Sequence, residues 1–224
     1  MMQATIYLLL AAALQGDYSE AYPKDVEMAL NTYKAYVDHL RKELGNPSDT
    51  ELAMAFAIVA PEVSRYDVLM DFFEVKGLQR KYVADGSCDY SVGYFQMKPS
   101  FVESLEKEVS ANKRLYRKYG KRLAYGKGSA REIRALRLER LCDVKWQITY
   151  LAVFVDVVRL RTAGWGLKSS EEKVRCWATL YNAGFYLSKQ RVGQRQGVKQ
   201  FPRGTTEFNY SAVAVELYHI FTSR

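Results

Sequence analysis

Apolar residues recur along most of the chain at alternating three- and four-residue steps, the period of an amphipathic helix. The first such stretch predicts a helix from Pro23 to Leu44, which Gly45 ends. The next stretch is apolar on nearly every side, and Ser48 or Asp49 can cap it, so it is expected to be a helix buried in the core. Because a proline ring disfavours helical geometry in the residue before it, we expect this helix to end near Pro61.

The same period continues in later segments, whereas the alternation of apolar and polar residues that is typical of strands is nearly absent. A polar loop is expected at 85–89, and the polar, glycine-containing stretch 188–206 is expected to be flexible. These patterns predict a mainly α protein with a single domain. Further helices are predicted at residues 66–75, 101–109, 113–140, 144–160, 171–181 and 210–221.

The N-terminal residues differ from the rest of the chain. The run from Ala4 to Leu14 is apolar and ends in small residues, as the centre of a secretory signal peptide does. No lysine or arginine precedes the run, so a first core helix is the alternative. The run is shorter than the roughly 20 apolar residues that cross a bilayer. We therefore divide the chain into residues 1–16, a signal peptide or N-terminal apolar helix, and 17–224, one α-helical domain with a basic C-terminal extension.

Composition and charge narrow the class of protein. The chain has 224 residues, 48% of them hydrophobic and 26% charged, which excludes a disordered or collagen-like chain. The formal net charge is +8, and basic residues concentrate at 113–140 and 189–203. Such runs are solvated helix faces, or they attract a polyanion such as nucleic acid or an acidic cell-wall polymer.

Cysteine and histidine are sparse. The chain contains Cys 3 and His 2, without the paired spacing of a zinc site or of a disulfide framework. One disulfide with a free thiol and three buried thiols both remain open as alternatives. We predict no metal site and no cofactor.

Glu62 is the first candidate for chemistry. It directly follows an apolar helix and stands near aromatic residues. Burial disfavours the charged form of a carboxyl group, so the pKa of Glu62 should rise and leave a proton available near neutral pH. The alternative is a glutamate that ends the helix at the surface or pairs with Arg65.

Two further motifs contain residues suited to binding a sugar. In Gly93-Tyr94-Phe95-Gln96-Met97, glycine lets the backbone approach a ligand, and the Gln96 amide offers both a donor and an acceptor. A tight turn with core aromatics explains this motif equally well. In Leu180-Tyr181-Asn182-Ala183-Gly184, the residues fall at a predicted helix end, where Asn182 and Gly184 also suit capping.

Taken in this order, the three elements resemble the lytic transglycosylase and goose-type lysozyme superfamily. In that family a helix ends in a catalytic glutamate, a Gly-Leu-Met-Gln-like turn follows, and Ala-Tyr-Asn-Ala-Gly lies near the last helices. The resemblance spans roughly residues 50 to 186, an extent judged from the order of the motifs. The segment between Glu62 and Gly93 is longer than in the common family pattern. By this resemblance, the domain is expected to have the lysozyme-like fold.

The resemblance also implies an activity, a substrate and a location. Glu62 would protonate the β-1,4 oxygen between N-acetylmuramic acid and N-acetylglucosamine of peptidoglycan and then act as base, with no metal or cofactor. The protein is expected to act as a periplasmic or secreted monomer on glycan strands, with peripheral association to the membrane or cell envelope and no nucleic-acid partner. The residues expected to bind the substrate are Ser64, Gly93, Tyr94, Gln96, Met97, Tyr181 and Asn182.

Two other functions remain open. A hydrolase needs a second carboxylate to activate water, and Asp67, Asp85 or Asp89 can supply it. A lytic transglycosylase instead uses a hydroxyl of the sugar and releases a 1,6-anhydro product. A glycan-binding module without catalysis is the second alternative. Nucleic-acid binding through 113–140 is disfavoured because no base-reading motif is present.

Overall fold

The computed structural model describes residues 18–203 and 206–223. These residues are mainly helical, with 72% helix and 3% strand, so the predicted mainly α class is confirmed. The predicted signal segment lies outside the described residues. The helices are α1 Tyr18–Ala21, α2 Pro23–Leu44, α3 Asp49–Ala57, α4 Ala60–Ser64, α5 Val68–Arg80, α6 Tyr82–Asp85, α7 Pro99–Ala111, α8 Lys113–Leu115, α9 Lys121–Leu123, α10 Ala130–Cys142, α11 Val144–Thr162, α12 Ser170–Ala183, α13 Lys189–Arg195 and α14 Tyr210–Thr222; a π-helical turn, Tyr116–Gly120, joins α8 to α9.

The first two long helices begin and end where local chemistry dictates. Helix α2 has the predicted bounds, and Gly45 closes it in the left-handed conformation at φ 86°. Ser48 caps α3: its side chain accepts from the backbone of Glu51, whose carboxylate accepts from the Ser48 backbone in return. The same serine and glutamate pairing begins α10 and α12. Three helices therefore start at a capping box, formed by a serine and the glutamate three residues after it.

Helix α11 runs through the centre of the molecule. Its side chains are buried over most of its length, and Tyr150, Leu151 and Phe154 are 0% exposed. It packs against α2, α7 and α10, while α14 lies across α3 and α12. This single core places the end of α12 beside α4 and the start of α7.

The buried helix α3 ends earlier than the sequence predicted. It stops at Ala57, and Pro61 lies instead in the first turn of α4. A proline is tolerated there because the first backbone N–H groups of a helix have no partner within it. Glu62 therefore lies in the first turn of a short second helix and not at the end of the long one.

The stretch 188–206 holds regular structure where its composition predicted a flexible segment. It contains α13 and most of a hairpin of β1 Phe201–Arg203 and β2 Thr206–Phe208, paired antiparallel. Phe201 and Phe208 are buried. The Asn209 side chain donates to two backbone carbonyls of the preceding loop, at 2.5 and 2.9 Å. Aromatic burial and this amide therefore order a polar segment.

Part of the basic segment 113–140 stabilises the fold. Arg137 is buried and forms ion pairs with Glu103 at 2.9 Å and with Glu106 at 2.7 Å. Arg134 and Arg140 each donate to backbone carbonyls of other segments. These cations are held by the protein itself, so the net charge overstates the basic surface that is free to meet a polyanion.

Two further properties concern the helices and the cysteines. No helix among the described residues is long and apolar enough to cross a membrane. Cys88, Cys142 and Cys176 are unpaired thiols, and Cys142 is exposed.

Candidate active site

A cleft of about 440 Å³ opens between α4, the start of α7 and the end of α12. It brings together five of the predicted site residues from three separate parts of the chain: Glu62, Gln96, Met97, Tyr181 and Asn182. Aromatic and small polar side chains complete its walls. These are Ser91, Ser100, Phe101, Ser104, Phe185 and Tyr186, together with the cations Arg65 and Lys98.

Glu62 lies in the wall of this cleft and is 7% exposed. Nε of Arg65 donates to one of its oxygens, Oε2, at 3.0 Å, and Nη2 of Arg65 forms an ion pair with the same oxygen at 2.9 Å. The other oxygen, Oε1, accepts no hydrogen bond from the described residues. The Arg65 guanidinium lies over the Phe201 ring, 4.5 Å from its centroid, which fixes it from the far side. The carboxyl group thus has one tethered oxygen and one oxygen without a partner among the described residues.

The environment of Glu62 favours its neutral form. Burial raises the pKa of Glu62 above its ordinary value, and the charge and hydrogen bonds of Arg65 lower it by less. A larger fraction of Glu62 is therefore protonated near neutral pH than of a surface glutamate. A carboxyl group of this kind can donate a proton to a leaving oxygen.

Two tyrosines interact electrostatically with Glu62. Burial and the nearby Glu62 raise the pKa of both Tyr181 and Tyr210. Tyr181 donates its hydroxyl proton to the Phe95 carbonyl at 2.5 Å, and Tyr210 donates to the Ile58 carbonyl at 3.0 Å. Because both hydroxyl protons are donated to backbone carbonyls, neither tyrosine donates a hydrogen bond to Glu62.

The turn at residues 92–97 forms another wall and depends on glycine. Gly93 has φ +75°, and a Cβ there would lie 1.7 Å from Nε2 of Gln147. Its N–H donates to Asp71 at 2.6 Å, and an isolated bridge pairs Val92 with Met97. The glycine is therefore required by both the backbone angle and the close approach of a buried amide.

Gln96 is held within this turn while it faces the cleft. Its Nε2 donates to the Gly93 carbonyl at 2.9 Å, and its Oε1 accepts from Ser91 at 3.0 Å. A primary amide has two N–H groups and two lone pairs. One donor and one acceptor site of Gln96 therefore remain for a ligand.

The remaining predicted substrate-binding residues do not line the cleft. Ser64 is 1% exposed, and its Oγ donates to the Pro61 carbonyl at 2.8 Å and lies 2.8 Å from the Tyr18 hydroxyl. The Tyr94 ring packs on Tyr66, with 4.4 Å between centroids. Gly93 lies buried behind Gln96. The polar groups or ring surfaces of these residues already contact other residues of the protein. They therefore support the cleft wall and do not form its surface.

The sequence did not identify several residues that build the site. Gln147 is the most important: its Nε2 donates to the Val92 and Leu141 carbonyls at 2.9 and 2.6 Å, and its Oε1 accepts from the Phe95 N–H at 3.0 Å. An amide within the apolar α11 was the signal that could have revealed it. Tyr210 and Phe201 gave no such signal, since only the fold brings the C-terminal segment to Glu62.

The acids considered as a second carboxylate are used elsewhere. Asp67 caps α5, accepting from two backbone N–H groups at 2.8 and 3.1 Å. Asp85 accepts from Ser87 at 2.8 Å, and Asp89 accepts from the backbone and hydroxyl of Ser100 at 2.9 and 2.6 Å. Among the described residues that line the cleft, Glu62 is the one carboxyl group.

Comparison with known proteins identifies no relative: no family model, curated protein or solved structure matches the chain. Within the described part of the chain, no cluster of three or more His, Cys, Asp or Glu residues can hold a metal ion. The arrangement offers one proton-donating acid in an open cleft with aromatic and amide walls.

Proposed function

We propose that the protein is a peptidoglycan lytic transglycosylase with a lysozyme-like domain, and that Glu62 is its general acid and base. One observation carries the proposal: a buried carboxyl group of raised pKa is the one acid among the described residues lining the cleft. An ordinary retaining or inverting glycosidase uses two carboxyl groups at a defined separation. A reaction in which the substrate provides the nucleophile needs one.

In this reaction the Glu62 proton passes to the β-1,4 oxygen as the bond from that oxygen to the anomeric carbon breaks. The resulting carboxylate then takes the proton of the C6 hydroxyl of N-acetylmuramic acid. That oxygen bonds to the anomeric carbon and closes the 1,6-anhydro ring. Glu62 ends in its starting protonation state, and no water is consumed.

The cleft walls support sugar recognition. Gln96 and Asn182 offer amide groups to sugar hydroxyl and acetamido groups, and the aromatic walls offer apolar surface to the ring faces. The net charge of +8 suits the negative charge of the cell wall. The protein would act as a monomer in the periplasm or outside the cell, on glycan strands.

The test is fragment release from purified peptidoglycan by the native protein, Glu62→Gln and Glu207→Gln. Glu207 is an exposed acid on β2 and is the matched control for loss of a carboxylate. We expect soluble fragments from the native protein and from Glu207→Gln, and none from Glu62→Gln. Release by Glu62→Gln at the native rate would overturn the assignment of Glu62.

A glycan-binding module without catalysis is the second candidate, and the ion pair between Arg65 and Glu62 favours it. A carboxylate held by arginine can serve structure alone. This function predicts peptidoglycan binding without fragment release by the native protein, and undiminished binding by Glu62→Gln. Fragment release by the native protein therefore distinguishes the two functions, and a sedimentation assay with insoluble peptidoglycan measures the binding that both predict.

A further inference from the structure

Helix α5 exposes a group of large apolar side chains, which we call the α5 face. Its members are Val68 at 71%, Leu69 at 64%, Met70 at 58%, Phe72 at 54% and Phe73 at 60% exposure. The sequence pattern predicted a helix here but gave no sign that its apolar residues would face solvent. Contiguous exposed apolar surface of this kind commonly marks an interaction site.

The α5 face also carries cations and no acids. At 3.6 residues per turn, Lys76 and Arg80 fall on the side of the helix occupied by Val68, Phe72 and Phe73. The Lys76 ammonium lies 5.5 Å from the centroid of the Phe72 ring. The outer surface of α5 is therefore apolar in its first two turns and basic in its last two.

The acids of α5 point the other way. Asp71 accepts from the Gly93 N–H at 2.6 Å and from the Tyr66 hydroxyl at 3.0 Å. Glu74 is half-buried; burial and the neighbouring Asp71 raise its pKa, and Arg65 and Lys98 lower it by less. Both carboxyl groups thus lie on the inner side of the helix, facing the rest of the protein.

The α5 face projects from the molecule. Leu78, near the C-terminal end, is the residue of α5 that is buried in the core, and Gly77 packs beneath the Tyr90 ring. Helix α5 contacts α6 and α10. None of the five described clefts is lined by residues of the α5 face, which is therefore separate from the candidate active site.

We propose that the α5 face binds the surface of an anionic lipid bilayer. A helix with apolar side chains and lysine or arginine on its outer surface can place the apolar groups among acyl chains and the cations among headgroups. A second copy of the chain is a poorer partner, because a symmetric contact would place the cations of each α5 face against a face that offers no acid to pair with them. The inference stands on the surface of α5 and does not depend on glycan cleavage.

The test is sedimentation of the full chain with vesicles of phosphatidylcholine containing phosphatidylglycerol. The triple variant Leu69→Ser, Phe72→Ser, Phe73→Ser removes exposed apolar groups that support no other part of the fold. Its control is Met28→Ser, Leu136→Ser, Leu160→Ser, which removes three exposed apolar groups elsewhere. We expect the first variant to lose at least about tenfold in vesicle affinity and the control to retain it. Circular dichroism verifies that both variants are folded.

The charges are tested separately with Lys76→Glu, Arg80→Glu. We expect this variant to lose affinity for anionic vesicles and to differ little from the native protein on phosphatidylcholine alone. Equal affinity of the native protein and both α5 variants for anionic vesicles would overturn the proposal. A second result would also overturn it: the native protein self-associates as its concentration rises, and the triple variant abolishes this self-association without changing vesicle binding. The partner of the α5 face would then be a second copy of the chain.

Discussion

Gly93→Ala tests how the turn beside the cleft is held. The new Cβ would lie 1.7 Å from Gln147 Nε2, and the residue would have to keep φ +75°. Gln147 is 1% exposed and bonded to three backbone groups of the surrounding structure, so its amide cannot move aside without losing them. The turn must then shift away from α11, or the buried amide must leave its partners.

Both effects contribute to the expected loss of stability. An alanine in the left-handed region costs about 1 kcal/mol relative to glycine. Loss of the hydrogen bonds of Gln147 costs about 1 kcal/mol for each, or about 3 kcal/mol together. We therefore expect Gly93→Ala to lower the free energy of unfolding by about 4 kcal/mol.

Urea denaturation followed by circular dichroism measures this change. Gly126→Ala is the matched control, because Gly126 has φ +73° and no atom lies within 4 Å of the position that a Cβ would take there. We expect the control to lose about 1 kcal/mol, the contribution of backbone strain alone. Equal losses for the two variants would refute the argument that Gln147 and Gly93 are packed in direct contact.

Three further predictions, one of them with a control variant, test charges and hydrogen bonds at the site and elsewhere in the fold. Arg65 lowers the pKa of Glu62, so Arg65→Ala raises that pKa further and should move the alkaline fall of kcat/KM to higher pH; an unchanged pH profile would contradict this. Arg137→Ala should lose about 3 kcal/mol of unfolding free energy because the largely buried Glu106 loses its cationic partner and keeps the neutral donors Tyr125 and Tyr150, whereas Arg159→Ala, with more exposed ion pairs, should lose less than about 1 kcal/mol. Tyr181→Phe removes the hydroxyl that donates to the Phe95 carbonyl, so we expect the free energy of unfolding to fall by about 1 to 2 kcal/mol. We expect this variant to release more fragments than Glu62→Gln does. Complete loss of release would contradict this expectation and would give the hydroxyl a direct role in the reaction.

The sequence predicted the long helices because their apolar period and caps are local signals. Helix α2 has the predicted bounds, and Ser48, one of the two residues predicted as the cap, is the cap of α3. The apolar period could not distinguish a core-facing helix from an exposed one, so the solvent-facing residues of α5 were not foreseen. The prediction at Pro61 was wrong because a proline that ends one helix can equally begin another. The hairpin near 201–208 depends on aromatic contacts with distant residues, which no local pattern encodes.

The candidate site was predicted in part. Glu62, Gln96 and Asn182 line one cleft, as expected from motifs that are far apart in the chain. The roles of Gln147 and Tyr210 could not be predicted, because they arise from contacts between segments distant in sequence. Local patterns therefore indicated which groups can do chemistry, and only the packed structure indicates which of them face the cleft.

The source of the oxygen that becomes bonded to the anomeric carbon tests the central claim most directly. Peptidoglycan is digested by the native protein in water enriched in heavy oxygen, and the fragments are analysed by mass spectrometry. If Glu62 acts as the single acid and base, the fragments end in 1,6-anhydro-N-acetylmuramic acid and carry no heavy oxygen. Fragments with a free reducing end that contains heavy oxygen would contradict the account and would require a second group that activates water.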